Sequence, residues 1–403
     1  MKYDFDTIID RTGTDATKLE MMPEGTPEDA LSAWVADMDF ACAPEILSAL
    51  HERIDRQILG YTMYGRDHYT EAVAGWFERR FGWKMDKSHM VYSPGIVTAL
   101  GILVDVLSEP GDGILIQRPV YYPFTNKIEG NGRKVVSNPL KLTEKGYEMD
   151  LEDLEAKMAA PDTKGMILCS PHNPVGRVWS KDELKAVIDI CKKHDKWLIC
   201  DEIHCDLTRV GVTHTPIMKL VDELAETDSS YCKYKEKMVV CTAPSKTFNL
   251  AGLLVSNIII PGREIRKKWY EAADGKYSLF SNALGLTGAE AAYNHGEAWL
   301  DQLKEYLDGN LEYIKEYLAE ELPEAKLMDC QGTYLAWIDF RAYCSDAKIL
   351  EEAMQKHGRI ALDEGYIFGE EGIGFERLNV AMPRSMVEDA MNRMKKAIEW
   401  IQR

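Results

Sequence analysis

Lys246 stands in "APSKTFNLAGL", a polar knot between two apolar runs. A lysine there is either a loop lysine in water or a buried amine with a task, because lysine is rarely buried unless it is paired or chemically used. Other polar groups follow apolar runs in the same way: Tyr121 and Tyr122 in "RPVYYPF", Asn173 in "SPHNPVG", and Asp201 with His204 in "CDEIHC". "SPGIVTALGILVDVL" opens on a Pro-Gly turn and continues with helical apolar spacing, which puts Gly95, Ile96 and Val97 at a helix start. Singly, these features are a strand-end cap, a turn and a loop. Together they match the functional groups of pyridoxal 5'-phosphate. Lys246 can form a Schiff base with the aldehyde, and Asp201 can pair with the pyridine nitrogen so that the ring works as an electron sink. Asn173 can donate to the ring hydroxyl oxygen, and Tyr121 can cover the ring face. The amides of Gly95, Ile96 and Val97 can hold the phosphate, and Ser245 can add a hydroxyl.

The elements that must position these groups alternate. "DGILIQRPVY" (112–121), "KGMILCS" (164–170), "KWLICDE" (196–202), "KMVVCTAP" (237–244) and "LLVSNIII" read as buried strands. Between them, "SKDELKAVIDICKKHD" has Ser180 and Glu183 at capping-box spacing, then Leu184, Val187, Ile188 and Cys191 on one helical face. Apolar strands separated by amphipathic helices imply a mostly parallel sheet covered on both faces. Ligands of such sheets sit beyond the carboxyl ends of the strands, where the polar groups lie. The C-terminal part differs, with a long helix at 296–322, a strand at 332–340 and a closing helix in "SMVEDAMNRMKKAIEWIQR". The expected division is a segment 1–48 beside a small domain, a large cofactor domain 49–290, and a small α+β domain 291–403.

Composition narrows the class. A net charge of −18 repels phosphate backbones, so nucleic acid is not an expected partner. No run approaches the roughly 18 apolar residues of a membrane helix. "MKYDFDTIIDRTGTD" lacks a signal-peptide pattern, and the nine cysteines are irregularly spaced. Reduced thiols and a cytoplasmic location are therefore expected. "CDEIHC" offers no second ligand pair at zinc spacing, so no metal is expected.

"SPHNPVGRVW", "CDEIHCDL", "APSKTFNLAGL" and "FERLNVAMPRS" resemble the fold-type I aminotransferase superfamily. "WVADMDF", "GYTMYG" and "RPVYYPF" narrow the resemblance to its MalY/PatB branch of cystathionine β-lyases, over nearly the whole chain. The resemblance implies a large domain with a mostly parallel seven-stranded sheet sandwiched by helices, plus a smaller α+β domain. It implies Lys246 as the Schiff-base lysine, Asp201 as the pyridinium partner, and Asn173 and His204 on the ring hydroxyl side. It implies Arg377 for the substrate α-carboxylate, with Tyr122 and Asp37 near the substrate and Tyr122 in the catalytic set. Tyr61 would reach the phosphate of a second subunit, giving a homodimer with shared sites. Aminotransferases of the superfamily usually carry an arginine eight residues after the lysine, where this chain has Leu254; the lyase branch also lacks the arginine there. The expected reaction is α,β-elimination of cystathionine or another S-substituted L-cysteine to thiol, pyruvate and ammonia. The alternatives are an amino-acid aminotransferase with the same site, or a regulatory protein of this fold acting on a protein partner.

Overall fold

The structure, a computed structural model, describes residues 3–403, so the first two residues of the N-terminal segment lie outside it. Seven strands form the main sheet: β1 (Met90–Ser93), β2 (Gly113–Ile116), β3 (Lys134–Ser137), β4 (Thr163–Cys169), β5 (Trp197–Asp201), β6 (Met238–Thr242) and β7 (Ser256–Ile259). Their order is β1–β7–β6–β5–β4–β2–β3. Only β7 runs against its neighbours, pairing antiparallel with β1 and β6, while the remaining pairs are parallel. Every residue of β5 and β6 is buried. Along β4 and β5, Ile167 and Ile199 enter one apolar core, whereas Met166, Leu168 and Leu198 enter the other. That period of two, with both faces apolar, is what demands helices on both sides.

Five helices matter for the site: α1 (Ile96–Leu107), α2 (Lys181–Lys193), α3 (Pro244–Thr247), α4 (Glu297–Glu321) and α5 (Arg384–Ile401). The Ser180–Glu183 capping box at the start of α2 is present in full. Two sequence readings shorten. The strand read over 112–121 stops at Ile116, because the backbone turns through the cis Arg118–Pro119 bond toward Tyr121. Lys246, read at a strand end, lies in the four-residue helix α3 just beyond β6.

The C-terminal part carries a second sheet of β8 (Lys326–Leu327), β9 (Leu335–Asp339), β10 (Asp363–Glu364) and β11 (Phe375–Asn379), antiparallel throughout in the order β8–β9–β11–β10. The N-terminal segment joins this part, since Leu31–Ser32 pairs parallel with Ile360–Ala361. From there residues 34–39 pass from the end of β11, where the Asp39 amide donates to Ala381 O at 2.9 Å, to the loop after α3, where the Met38 amide donates to Asn249 Oδ1 at 3.0 Å.

The sheet's tightest side-chain approach is between β4 and β5. Gly165 faces Trp197 in register, and a Cβ on Gly165 would stand 2.1 Å from the indole ring. The indole is held in place by its Nε1–H donating to Leu107 O at 3.1 Å. Gly165→Ala should therefore destabilise the protein by about 1–3 kcal/mol through overpacking. A lower urea midpoint with an unchanged denaturant slope is the expected result; an unchanged midpoint would show that the indole moves aside freely.

Candidate active site

The carboxyl edge of the main sheet gathers the polar groups. β5 ends on Asp201, β4 leads into the turn holding Asn173, β6 leads into α3 with Ser245 and Lys246, and β1 leads through Gly95 into α1. A cavity of about 460 Å³ is lined by Gly95, Ile96, Val97, Tyr121, Asn173, Asp201, His204, Ser245 and Lys246, together with Ala36, Ile203, Leu254 and Val255. Four other expected residues lie off this wall. Arg377 on β11 is buried behind Asn173, its Nη1 donating to Asn173 Oδ1 at 3.0 Å. Tyr122 packs between Tyr121 and Phe368, with ring centroids 5.6 and 6.0 Å away. Asp37 has both carboxylate oxygens engaged by Arg11 at 2.7 and 2.8 Å. Tyr61 is 97% exposed in the single chain, beside Phe280 at 6.0 Å.

Burial sets the electrostatics. Asp201 accepts one backbone N–H, from Ile203 at 3.1 Å. Loss of water, reinforced by the neighbouring Glu202, pushes its pKa up from 3.8 to about 7. Lys246 Nζ donates to Ala36 O at 2.5 Å. Burial, followed by the Arg377 charge, pushes its pKa down to about 8, against the pull of Asp37 and Asp201. His204 is pushed down to about 3 by burial and by the Lys246 and Arg377 charges, so it is a neutral imidazole at physiological pH. Arg377 also donates through Nη2 to Trp34 O at 3.0 Å and pairs with Asp363, which faces it across β10 and β11.

Two of the expected site residues have a buried atom without a hydrogen-bond partner among the described residues, His204 at Nδ1 and Arg377 at Nε. Unpaired buried polar groups are uncommon and call for an explanation. α1, twelve residues long, has no acidic side chain in its first turn. Its first amides have no carbonyl to bond within the helix and so form a site for an anion. An unpaired carboxylate, a lysine with a lowered pKa, an aromatic wall at Tyr121 and an anion cradle within one cavity fit a flat phosphorylated pyridine aldehyde.

The sequence matches the family model for aminotransferase class I and II over residues 35–394. Cystathionine beta-lyase PatB of Bacillus subtilis is 42% identical over 398 residues, covering 98% of this chain and 99% of PatB. The chain belongs to the class I and II aminotransferase family, in the branch that holds PatB. Protein MalY of Escherichia coli is 36% identical, covering 98% of this chain and 99% of MalY. Cystalysin of Treponema denticola, whose crystal structure contains pyridoxal 5'-phosphate, superposes with a TM-score of 0.93 at 37% identity, covering 99% of both chains. Within this family frame, sequence reading overlooked several groups that the fold brings in. The Ala36 carbonyl receives Lys246 and, at 2.9 Å, the Tyr334 hydroxyl. Tyr334 also meets His204 edge to face, with centroids 6.0 Å apart. Asp363 and Arg11 were visible only as charges; a register between strands and a fork across 26 positions leave no local signature.

The raised Asp201 pKa has a signed consequence for the cofactor-free protein. The unfolded chain keeps the ordinary value of 3.8, so between that pH and about 7 the folded state holds the extra proton. Stability from this group is full below pH 3.8 and is lost as pH rises through about 7. Asp201→Asn should thus raise the thermal midpoint of the cofactor-free protein more at about pH 8.5 than at about pH 5. A mutational difference that is constant with pH would contradict the raised pKa.

Proposed function

We propose that the protein is a pyridoxal 5'-phosphate-dependent carbon–sulfur β-lyase that acts on cystathionine or related S-substituted L-cysteines. The observation that carries this reading is Lys246 and Asp201 sharing one cavity with Asn173, with Arg377 seated directly behind Asn173. The 42% identity to a cystathionine β-lyase supports the choice of reaction. Lys246 would link to the cofactor, and Asp201 would face its ring nitrogen. Asn173 and His204 Nδ1 would serve the ring hydroxyl side, Tyr121 the ring face, and the Gly95, Ile96 and Val97 amides with Ser245 the phosphate. Bound pyridoxal 5'-phosphate supplies the electron sink that acidifies the substrate α-carbon and lets a β-thiolate depart.

The chain's own groups do the remainder. Arg377 orients the substrate α-carboxylate, with Nε the donor left free for it. Lys246 Nζ, with a pKa near 8, has enough free amine at neutral pH to take the α-proton, and the Ala36 carbonyl fixes where that amine rests. Tyr121 lines the cavity, and Tyr122 packs behind it against Phe368. Among the described residues no arginine lines the cavity, and Leu254 and Val255 give it one apolar side. A donor such as aspartate or glutamate would bring a second carboxylate without a counter-charge, which is costly in a buried site. A thioether meets no such penalty, and this favours elimination over transamination.

Tyr61 completes the proposal as a residue lent between subunits. Ile58, Leu59, Met63 and Phe280 are exposed around it, an apolar patch that a second copy would cover. The active form is accordingly a homodimer.

Two measurements test the reading. Borohydride reduction of the purified protein should leave a pyridoxyl label on Lys246, and Lys246→Ala should lose it; label on another lysine overturns the site. Cystathionine should release pyruvate and free thiol at least about 100-fold faster than aspartate or glutamate donates its amino group to a keto acid, a ratio within reach of one buried charge. Dominant transamination without thiol would keep the cofactor and overturn the lyase.

Subunit sharing has its own test. Tyr61→Ala and Lys246→Ala subunits, each inactive as a homodimer, should regain activity when mixed, because one of the two sites then combines two intact copies. A fully active monomer would exclude the shared site.

A further inference from the structure

Residues 34–39 form a strap of backbone whose carbonyls meet the donors of the site. Trp34 O accepts from Arg377 Nη2 at 3.0 Å, Ala36 O from Lys246 Nζ at 2.5 Å, and Asp37 O from Asn379 Nδ2 at 2.6 Å. The place of this strap therefore sets both the amine and the guanidinium. An ion cluster from the N-terminal segment holds it. Arg11 grips both oxygens of Asp37 at 2.7 and 2.8 Å and reaches Asp39 Oδ1 at 3.1 Å. Lys18, fully buried, meets Asp39 Oδ2 at 2.5 Å and the Asp37 carbonyl at 3.3 Å. Two cations and two carboxylates make the cluster neutral. A second cavity, of about 590 Å³, has Arg11, Asp37, Asp39 and Lys246 in its wall and shares Ala36, Lys246 and Ala251 with the first. Asp37 and Lys246 thus line the same cleft.

We propose that Arg11 is a positioning residue of the site: its fork holds Asp37 and the strap in place and lessens how far that carboxylate's charge stabilises the ammonium form of Lys246. The inference rests on Lys246 as the cofactor lysine. An opposite charge a few ångströms away favours the protonated form of an amine, and a neutralised one does so less. The charged groups facing Lys246 are Arg377, which favours the free amine, and Asp37 and Asp201, which favour the ammonium. His204 faces it as a neutral imidazole, and Tyr334 meets it through the shared Ala36 carbonyl. Arg11 is thus the group that decides how much of the Asp37 charge Lys246 experiences. Loss of the Arg11 cation and loss of the Asp37 anion must move Lys246 in opposite directions. A strap that merely loosened would give shifts of one sign or none.

The direct test is competitive acetylation of the full-length, cofactor-free chain with acetic anhydride across a pH series, with Lys246 followed by peptide mass spectrometry. Arg11→Gln should raise the titration midpoint of Lys246 by about half to one pH unit, and Asp37→Asn should lower it by a similar amount. The double variant should fall between the two. In the cofactor-loaded protein the pH midpoint of the visible absorption band should shift with the same signs. Unmoved midpoints, or shifts of one sign in both single variants, overturn the proposal. If Arg11→Gln alone does not fold, the double variant set against Asp37→Asn decides: a midpoint higher than that of Asp37→Asn supports the proposal, and an equal or lower one refutes it. A wild-type protein that takes up no cofactor refutes the reading of Lys246 as the cofactor lysine, while the acetylation midpoints still judge the role of Arg11.

Discussion

Asp201 is a carboxylate buried at the end of the central strand with a single backbone amide for company. A charge in that position is costly unless something compensates it, and its pKa records the cost. The surrounding architecture follows from keeping it there. β4 and β6 flank β5 in parallel register, so the turns that follow them emerge on either side of Asp201 and deliver Asn173 and Lys246 to the same edge. The buried central strands hold that edge, and Asp201 has no ion pair among the described residues. A cationic ring nitrogen set against this carboxylate, as proposed above, would remove the cost and so would couple cofactor uptake to local stability.

Parts far apart in the chain converge on the other wall. The 34–39 segment, carried by the pairing of Leu31–Ser32 with Ile360–Ala361, lies between the main sheet and β11. Its carbonyls join Lys246, in the short helix that follows β6 of the main sheet, to Arg377, on β11 of the second sheet. The amine and the guanidinium are thereby held to a common reference although they come from different parts of the fold. Such pre-organisation matters because displacements of an ångström in reacting groups change rates by orders of magnitude.

Much of this was legible in the sequence where a residue's role follows from its position after an apolar run. Asp201 after "WLIC" ends its strand, and Asn173 between two prolines and Lys246 after "VVCTAPS" follow theirs by a few residues, so order along the chain became proximity in space. The long helix and the capping box were equally plain, being periodic or locally bonded. The direction of β7 was not, because an apolar run carries no sign of which way its strand points. The helices over Pro44–Asp55 and Asp67–Phe81, and strands β1 and β3, also went unread. Asp363 opposite Arg377 depends on strand register, the Ala36 carbonyl has no side chain to flag it, and Arg11 with Asp37 is a contact between irregular segments.

The same lysine, aspartate and arginine serve both elimination and amino transfer, so the distinction between them must lie in the walls. Leu254 occupies a left-handed backbone position, φ 53°, at the cavity edge, its carbonyl accepting from the Tyr92 hydroxyl at 3.0 Å. An arginine at this point would place a full positive charge beside the phosphate end. With leucine there, the anion is left to helix amides, to Ser245 and, in the dimer proposed above, to a tyrosine of the neighbouring subunit. Amide dipoles compensate a phosphate less completely than a guanidinium does. On the proposed reading, more of the cofactor's hold would fall on Lys246 at the aldehyde carbon and on Asp201 at the ring nitrogen. The Leu254 edge that would leave the phosphate to amides would also offer a thioether an apolar wall and a second carboxylate no counter-charge. Cofactor retention and substrate choice would then depend on the same wall.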